Sequence, residues 1–390
     1  MVRHIILPVS LMAGAIIGAG MFSLPYLFHQ AGIILSLLIL AALTFVVTFI
    51  HLLYADIILK TKGERNFVSY TREYLGLNAS RVAFFMSIVE MIIVLVIYLI
   101  LASKFIGSLI QSFWSLYPAD SWISVIVLLF WIAGSIAIFW DLKELSLIQF
   151  LITVSMVVII SFVLIFAVFN GGSEKLFSEI YPLANGFNFN NLFVLLGPIL
   201  FALSGRVVIV EVIKYFSPKK PLLEIRRSII LGTVIPAIIY AFFALSVLAL
   251  SESVSLDSIS GLIGSLPPFL IASFSILGLL AIWTSYIAVG FDVKNILQID
   301  LNLSNFKSGA IVVFLPIVLY FAGLTDFIFL ISLVGGLFLT LESIFIVKMW
   351  QKLDKKNNPP AGGGIFLYIV VFILCITLIY EIWKLLTGFY

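Results

Sequence analysis

The chain is a succession of unbroken apolar runs, most of them near or above the ~20 residues that a helix needs to cross a bilayer, separated by short stretches that hold most of its charge. The runs fall near 5–28, 33–59, 82–110, 121–140, 147–169, 191–214, 228–250, 266–290, 308–323, 326–347 and 364–386. They are continuously apolar rather than alternating in segments of about ten residues, which predicts membrane helices and not the strands of a barrel. Composition agrees: of 390 residues 63% are hydrophobic and 11% charged, against about 45–50% and about 25% in soluble domains. A soluble enzyme is excluded, because this much apolar surface could not be kept from water. Cys375 stands alone, and His4, His29 and His51 are scattered, so neither a disulfide nor a metal cluster is expected. A net charge of +3 with no basic, aromatic-interleaved stretch excludes nucleic acid as a partner. The first run is too long, and lacks the small-residue cleavage site, to be a removed signal peptide, so it is expected to be a mature helix.

Orientation follows from Lys and Arg, which concentrate on the cytoplasmic side of membrane proteins. One set of alternate connections carries 18 of the 22, among them Arg3, Lys60, Arg72, Lys143, Lys219, Arg226, Lys307 and Lys352. The other set holds Lys104, Lys175 and Lys384, and Arg206 lies inside a run. This predicts a multi-pass protein of the cell membrane, N-terminus cytoplasmic and C-terminus outside. The longest connections are 60–81, 170–190 and 348–363, the last with a KKNNPPAGGG stretch that reads as a flexible linker. The whole chain is one membrane domain, and 364–386 reads as an eleventh helix added to a ten-helix core.

Two runs are interrupted at membrane depth. The first contains Gly14, Gly18, Gly20 and Pro25, and the sixth contains Gly197, Pro198, Ser204, Gly205 and Arg206. If the core consists of two five-helix repeats, about 5–169 and 191–347, these are the first helices of each. Paired Gly/Pro-interrupted helices at corresponding positions point to the binding site of a secondary transporter. Unwinding frees backbone N–H and C=O groups, and an amino acid zwitterion can satisfy both: its carboxylate at amides and the positive end of a half-helix, its ammonium at carbonyls.

The segment GAIIGAGMFSLPYLFHQAG (14–32), together with IRRSIILGTVIPAIIYAFF (225–243) and FSILGLLAIWTSYIAVGFDVKNILQID (274–300), resembles the tryptophan/tyrosine permease group of hydroxy and aromatic amino acid permeases, within the amino acid, polyamine and organocation superfamily. The resemblance implies an all-α, leucine-transporter-like inverted repeat and cation-coupled import of an amino acid by alternating access. On it, Gly18, Ala19, Gly20 and Met21 form the substrate-binding break of helix one, and Phe201, Ala202, Leu203, Ser204 and Gly205 that of helix six. The aromatic group has Phe-Gly-Phe-His-Gly at the latter, so Phe-Ala-Leu-Ser-Gly departs from it and leaves the substrate side chain open. A candidate sodium site is implied by the same mapping: carbonyls of Gly14, Ile17 and Ala281 with the hydroxyls of Thr284 and Ser285. Residues 281, 284 and 285 share one helix face, although such hydroxyls also bond the carbonyl one turn back. Sodium or proton coupling both remain open, and the absence of a basic residue in 147–169, where some proton-coupled members place a lysine, favours sodium.

Charges at membrane depth are functional candidates by default. Arg206 adjoins the second break, with Glu90 and Glu342 as intramembrane partners or an anionic substrate group as the alternative. Glu90, Val94 and Ile97 are expected on the pocket wall. Glu211 reads as a gate or proton site, Lys104 as a snorkelling interfacial lysine, and His51 and Asp56 as interfacial. A monomeric cation–amino acid symporter is the leading expectation, with no enzyme activity and no cofactor beyond Na+ as a coupling ion. The alternative is an amino-acid-sensing membrane receptor of the same superfamily that binds without transporting.

Overall fold

A computed structural model describes residues 2–61, 66–114, 120–139, 146–169, 172, 174–176, 189–219, 221–355 and 364–387. Most of the 170–190 connection and residues 356–363 of the KKNNPPAGGG stretch lie outside the described residues. The α-helices include α1 Val2–Ile16, α2 Leu24–Ala31, α3 Ile33–Lys60, α4 Phe67–Leu75, α5 Leu77–Trp114, α6 Asp120–Phe139, α7 Ser146–Phe169, α8 Phe189–Ala202, α9 Ile209–Tyr215, α10 Leu222–Leu250, α11 Pro268–Leu301, α12 Asn305–Phe321, α13 Phe327–Leu333, α14 Thr340–Lys355 and α15 Gly364–Thr387. Nine described helical stretches are long and apolar enough to cross a membrane, and ten if α1 and α2, bent by 49° at their junction, form one broken span. The remaining apolar run is the shorter helix α12. In the absence of water, only intrahelical bonding can satisfy the backbone of such sequences, so each apolar run becomes a helix.

Several boundaries differ from the sequence expectation: α10 begins at Leu222 rather than near 228, and α14 runs to Lys355 rather than stopping near 347. The connection 60–81 is not a plain loop: it contains α4, started by the Asn66 side chain accepting from the Ser69 amide at 2.8 Å and closed by Gly76 at φ 93°. That amphipathic turn was hidden because its apolar residues are few. Helix α5 begins at Leu77 rather than near 82, and α11 continues to Leu301 rather than stopping near 290. At 1.5 Å per residue, α11 is roughly 50 Å long and exceeds a ~30 Å hydrocarbon layer.

Helix α5 is the centre of the bundle. Its most apolar window is 78% buried, against 28% for those of α7 and α15, so α5 contacts protein nearly all round while α7 and α15 face lipid. It packs on α4, α6, α11 and α12, while α1 packs on α7 and α10. Close packing between α8 and the α13–α14 span needs glycine: a Cβ at Gly335 would run into the Gly197 backbone, and one at Gly197 would lie 2.7 Å from the Ser332 carbonyl. Small residues of this kind let membrane helices approach closely where no hydrophobic effect drives them together. The span α13–α14 is joined by a π-helical turn, Val334–Leu339.

Helix α15 is docked rather than appended. Ser332 Oγ donates to Glu381 Oε2 at 3.1 Å, Lys384 Nζ donates to Ser332 Oγ at 3.1 Å, and a Cβ at Gly336 would meet the Glu381 carboxyl at 2.8 Å. The polar end of α15 thus sits in the notch of the π-helical turn.

Candidate functional site: two facing helix breaks

The first span stops at Ile16 and resumes as a short 3-10 turn, Ala19–Ser23, before α2. Gly18 stands between them with extended backbone, φ −144° and ψ −147°. The sixth span stops at Ala202 and resumes as a 3-10 turn, Arg206–Val208, leaving Ser204 and Gly205 outside the α-helical ladder. The interruptions face each other at backbone distance. A Cβ at Gly20 would collide with Ala202 Cα, so only glycine permits this approach. Gly18, by contrast, has room: its nearest side-chain neighbour would be Ser285 Oγ at 3.8 Å from an added Cβ.

A residue that the sequence reading missed joins the breaks. The hydroxyl of Tyr240, on α10 and fully buried, approaches the Ile16 carbonyl at 2.6 Å and the Ala202 carbonyl at 2.9 Å. Both are the last carbonyls of their half-helices, where orphan acceptors and the negative dipole ends converge. One phenol therefore shares its proton between two helix ends. Nothing in IRRSIILGTVIPAIIYAFF singles out a tyrosine, since a buried Tyr on an apolar span reads as core; only the tertiary fold shows what its hydroxyl meets.

Beside Gly18, on α11, Thr284 Oγ1 donates to the Ala281 carbonyl at 2.9 Å. Thr284 and Ser285 are buried. The back-bond expected of a membrane hydroxyl is thus present, and it also brings two of the mapped oxygens together, with Ser285 Oγ next to the helix-one break. Tyr98 on α5 lies within hydrogen-bonding reach of Ser285, so the level of α5 that faces the breaks is Tyr98. Ile97 is its neighbour, and Glu90 lies eight residues, about 12 Å, further along the helix.

Away from α4, aromatic rings close over the breaks. Phe22 meets Phe105 at 4.6 Å and Phe243 at 5.8 Å, and Phe243 meets Phe274 at 6.1 Å. The segment 251–267 folds in on top, where Ser258 Oγ donates to the Phe22 carbonyl at 2.6 Å and Ser260 Oγ contacts Ser108 Oγ at 3.0 Å.

At the α4 end the closure is ionic. Arg206 Nε donates to Glu342 Oε2 at 2.6 Å with both residues buried, Ser87 Oγ donates to Glu342 Oε1 at 3.1 Å, and the guanidinium stacks 4.7 Å from the centre of the Phe67 ring of α4. Glu342, not Glu90, therefore takes the ion pair. Glu90 is also placed here rather than on the pocket wall at the breaks, buried and facing Glu342. Ser204, Arg206, Glu342, Ser343 and His51 line one small cavity of about 30 Å³. His51 is not interfacial: it is 2% exposed and its Nδ1 is 3.1 Å from Thr233 Oγ1, because α3 is clasped between α8 and α10. Glu211, expected as a gate or proton site, lies exposed one turn past the break, pairing with Lys214 at 3.1 Å. Asp56 pairs with Arg226 at 3.0 Å, tying α3 to α10, and Lys104 is exposed on α5.

Several solved structures resemble this chain in fold. One is the transporter MhsT in complex with L-phenylalanine, with a TM-score of 0.71, 16% identity and 98% of each chain covered. Another is a manganese transporter of Eremococcus coleocola in complex with an aromatic bis-isothiourea substituted compound, at 0.58 and 13%, over 96% of this chain and 85% of that one. A mutant of the same transporter superposes at 0.60 and 14%, over 98% of this chain and 86% of that one. At these identities the likeness establishes the leucine-transporter-like fold. No curated protein matches the sequence. The tryptophan/tyrosine permease family model matches residues 1–381, nearly the whole chain with both breaks inside it: a membrane transporter and not an enzyme, the chain belongs to the tryptophan/tyrosine permease family.

Proposed function

We propose that the protein imports an amino acid across the cell membrane by alternating access, coupled to a cation. The observation that carries this reading is the pair of helix breaks set face to face, with Gly20 on Ala202 and with converging half-helix ends. Amides of the Gly18–Met21 stretch suit a carboxylate, and the carbonyls that Tyr240 now holds suit an ammonium. Met21, Phe22, Phe105, Phe243 and Phe274 make the surroundings apolar, which supports a substrate with an uncharged side chain; the phenylalanine bound by MhsT is in keeping with this. The lysine- and arginine-rich connections support a cytoplasmic α4 end, with the Arg206–Glu342 closure. The ring-sealed end then faces outside, and the two closures are the two gates.

For the cation, sodium is favoured by neutral oxygens at the break: the Ala281 carbonyl, Thr284 Oγ1 and Ser285 Oγ, with Gly14 and Ile17 carbonyls from helix one as the remaining ligands. Uptake of radiolabelled amino acids into proteoliposomes, driven by sodium or with choline in its place, tests both parts. Accumulation that needs sodium is expected, and Thr284→Ala with Ser285→Ala raises the sodium concentration for half-maximal uptake. By linkage it also lowers the sodium dependence of substrate affinity. Binding without accumulation would assign the protein to sensing instead, and uptake that follows a pH gradient alone would replace sodium by the proton.

A further inference from the structure

The ion pair at the α4 end leaves one group unaccounted for. Glu90, 6% exposed, faces Glu342, and its Oε2 has no hydrogen-bonding partner. The charged and titratable groups around it come from every element packed there. Glu342 is on α14, Arg206 in the 3-10 turn after α8, and Asp292 on α11; Tyr54 and His51 on α3 face Arg206, and Tyr70 on α4 faces Tyr54. Arg206 supplies a single positive charge, permanent at any physiological pH. Glu342 already takes it, at 2.6 Å. A second carboxylate in the same desolvated spot would be an uncompensated buried charge, which neutralises by taking a proton when it can. Two carboxyls that face each other also need one proton between them before either can donate to the other, as in carboxylate dyads.

We infer that Glu90 is a proton-binding site of the cytoplasmic gate: the closed gate holds a Glu90–Glu342 carboxyl pair with one shared proton over Arg206, and opening hydrates Glu90 and releases that proton. The closed form thus binds one more proton than the open form. Acid therefore favours closure and alkali favours opening, as linkage requires. The small cavity beside the pair, lined by His51, Ser204, Arg206, Glu342 and Ser343, is large enough for a water to reach the Glu342 carboxyl. The inference rests on the two-gate reading above, but not on the identity of the substrate or of the cation.

The test reads gate opening without substrate, so that its failure and a failure of the transport reading are distinguishable. In a Cys375→Ser background, Ser343→Cys places a thiol beside the ion pair, and its rate of reaction with a water-soluble maleimide is measured in nanodiscs against pH. The thiol's own ionisation is cancelled by taking the ratio of the rate to that of the same protein carrying Glu90→Gln, which mimics the protonated carboxyl. That ratio is expected to rise about tenfold from the acid to the alkaline end of the series, as Glu90 gives up its proton. A ratio independent of pH overturns the proposal. Asp292→Asn is expected to keep the pH dependence, and its loss there, with Glu90→Gln unaltered, would move the site to Asp292 and overturn the assignment. If Glu90→Gln does not fold, Glu342→Gln decides: Glu90 then becomes the permanent partner of Arg206, and the pH dependence vanishes. Full retention in that variant overturns the shared-proton model.

Discussion

Gly18 and Gly20 are two residues apart and both buried, yet substitution should separate them. Gly20→Ala drives a methyl into the Ala202 backbone, so the spans must part, and a loss of about 2–4 kcal/mol of stability is expected from such overpacking. Gly18→Ala finds open space near Ser285 Oγ; its melting temperature should hold within about 3 °C, while substrate affinity falls because the methyl occupies the approach to the break. Scanning fluorimetry with and without substrate checks both, and equal melting of the two variants would contradict the geometry. Arg206 offers a sharper case. Arg206→Ala and Glu342→Ala should each cost about 3–5 kcal/mol by stranding a buried charge, and the double variant less than their sum. Strictly additive losses in that cycle would mean that the 2.6 Å pair is not the partnership that matters. The need for a partner to Arg206 was legible in the sequence, since a guanidinium at mid-membrane requires one. Which carboxyl supplies it was not, because Glu90 and Glu342 lie on different spans and only their relative rotation brings one oxygen to Nε. Tyr240 was illegible for a related reason: a hydroxyl's role depends on which carbonyls end nearby, and those belong to two other helices.

Among the elements, all eleven apolar runs could be located from periodicity and length, but several ends, those of α5 and α11 among them, could not. Both continue past the apolar stretch on residues such as Asn78, Lys294 and Asp300, whose polarity masks a helix that packs against protein rather than lipid. Helix α4 was similarly hidden inside a basic connection, although Asn66 and Gly76 stand where a cap and a terminator belong. The reading of 364–386 as an addition located the helix but missed its anchorage. Glu381 reaches the Ser332 hydroxyl and the Gly336 notch, and its own α15 supplies Lys384 as counter-charge at 3.9 Å. Glu381→Leu should therefore loosen α15 from the α13–α14 span and lower the melting temperature by several degrees, whereas Ile379→Leu, on an exposed position of the same helix, should leave it unchanged within about 1 °C. Thermal melts of the purified proteins in detergent check the pair, and indistinguishable curves would show α15 to be held by its apolar face alone.

For the whole molecule, the sidedness proposed from Lys and Arg makes a direct expectation. With the native Cys375 replaced by serine, a cysteine substituted in the 60–81 connection, as in Glu73→Cys, is expected to react with an impermeant reagent only from the cytoplasmic side, and labelling from outside would invert the assignment. The same sidedness gives the two closures different physics. One is a cluster of aromatic rings, Phe22, Phe105, Phe243 and Phe274, and the other a guanidinium paired with a carboxylate. Breaking the first exposes apolar surface and so carries a positive heat-capacity change, while breaking the second hydrates ions, whose hydration becomes less favourable on warming. Cooling weakens the ring contacts. A transporter closed by oil at one mouth and by charge at the other therefore has a balance between its two closures that temperature can shift.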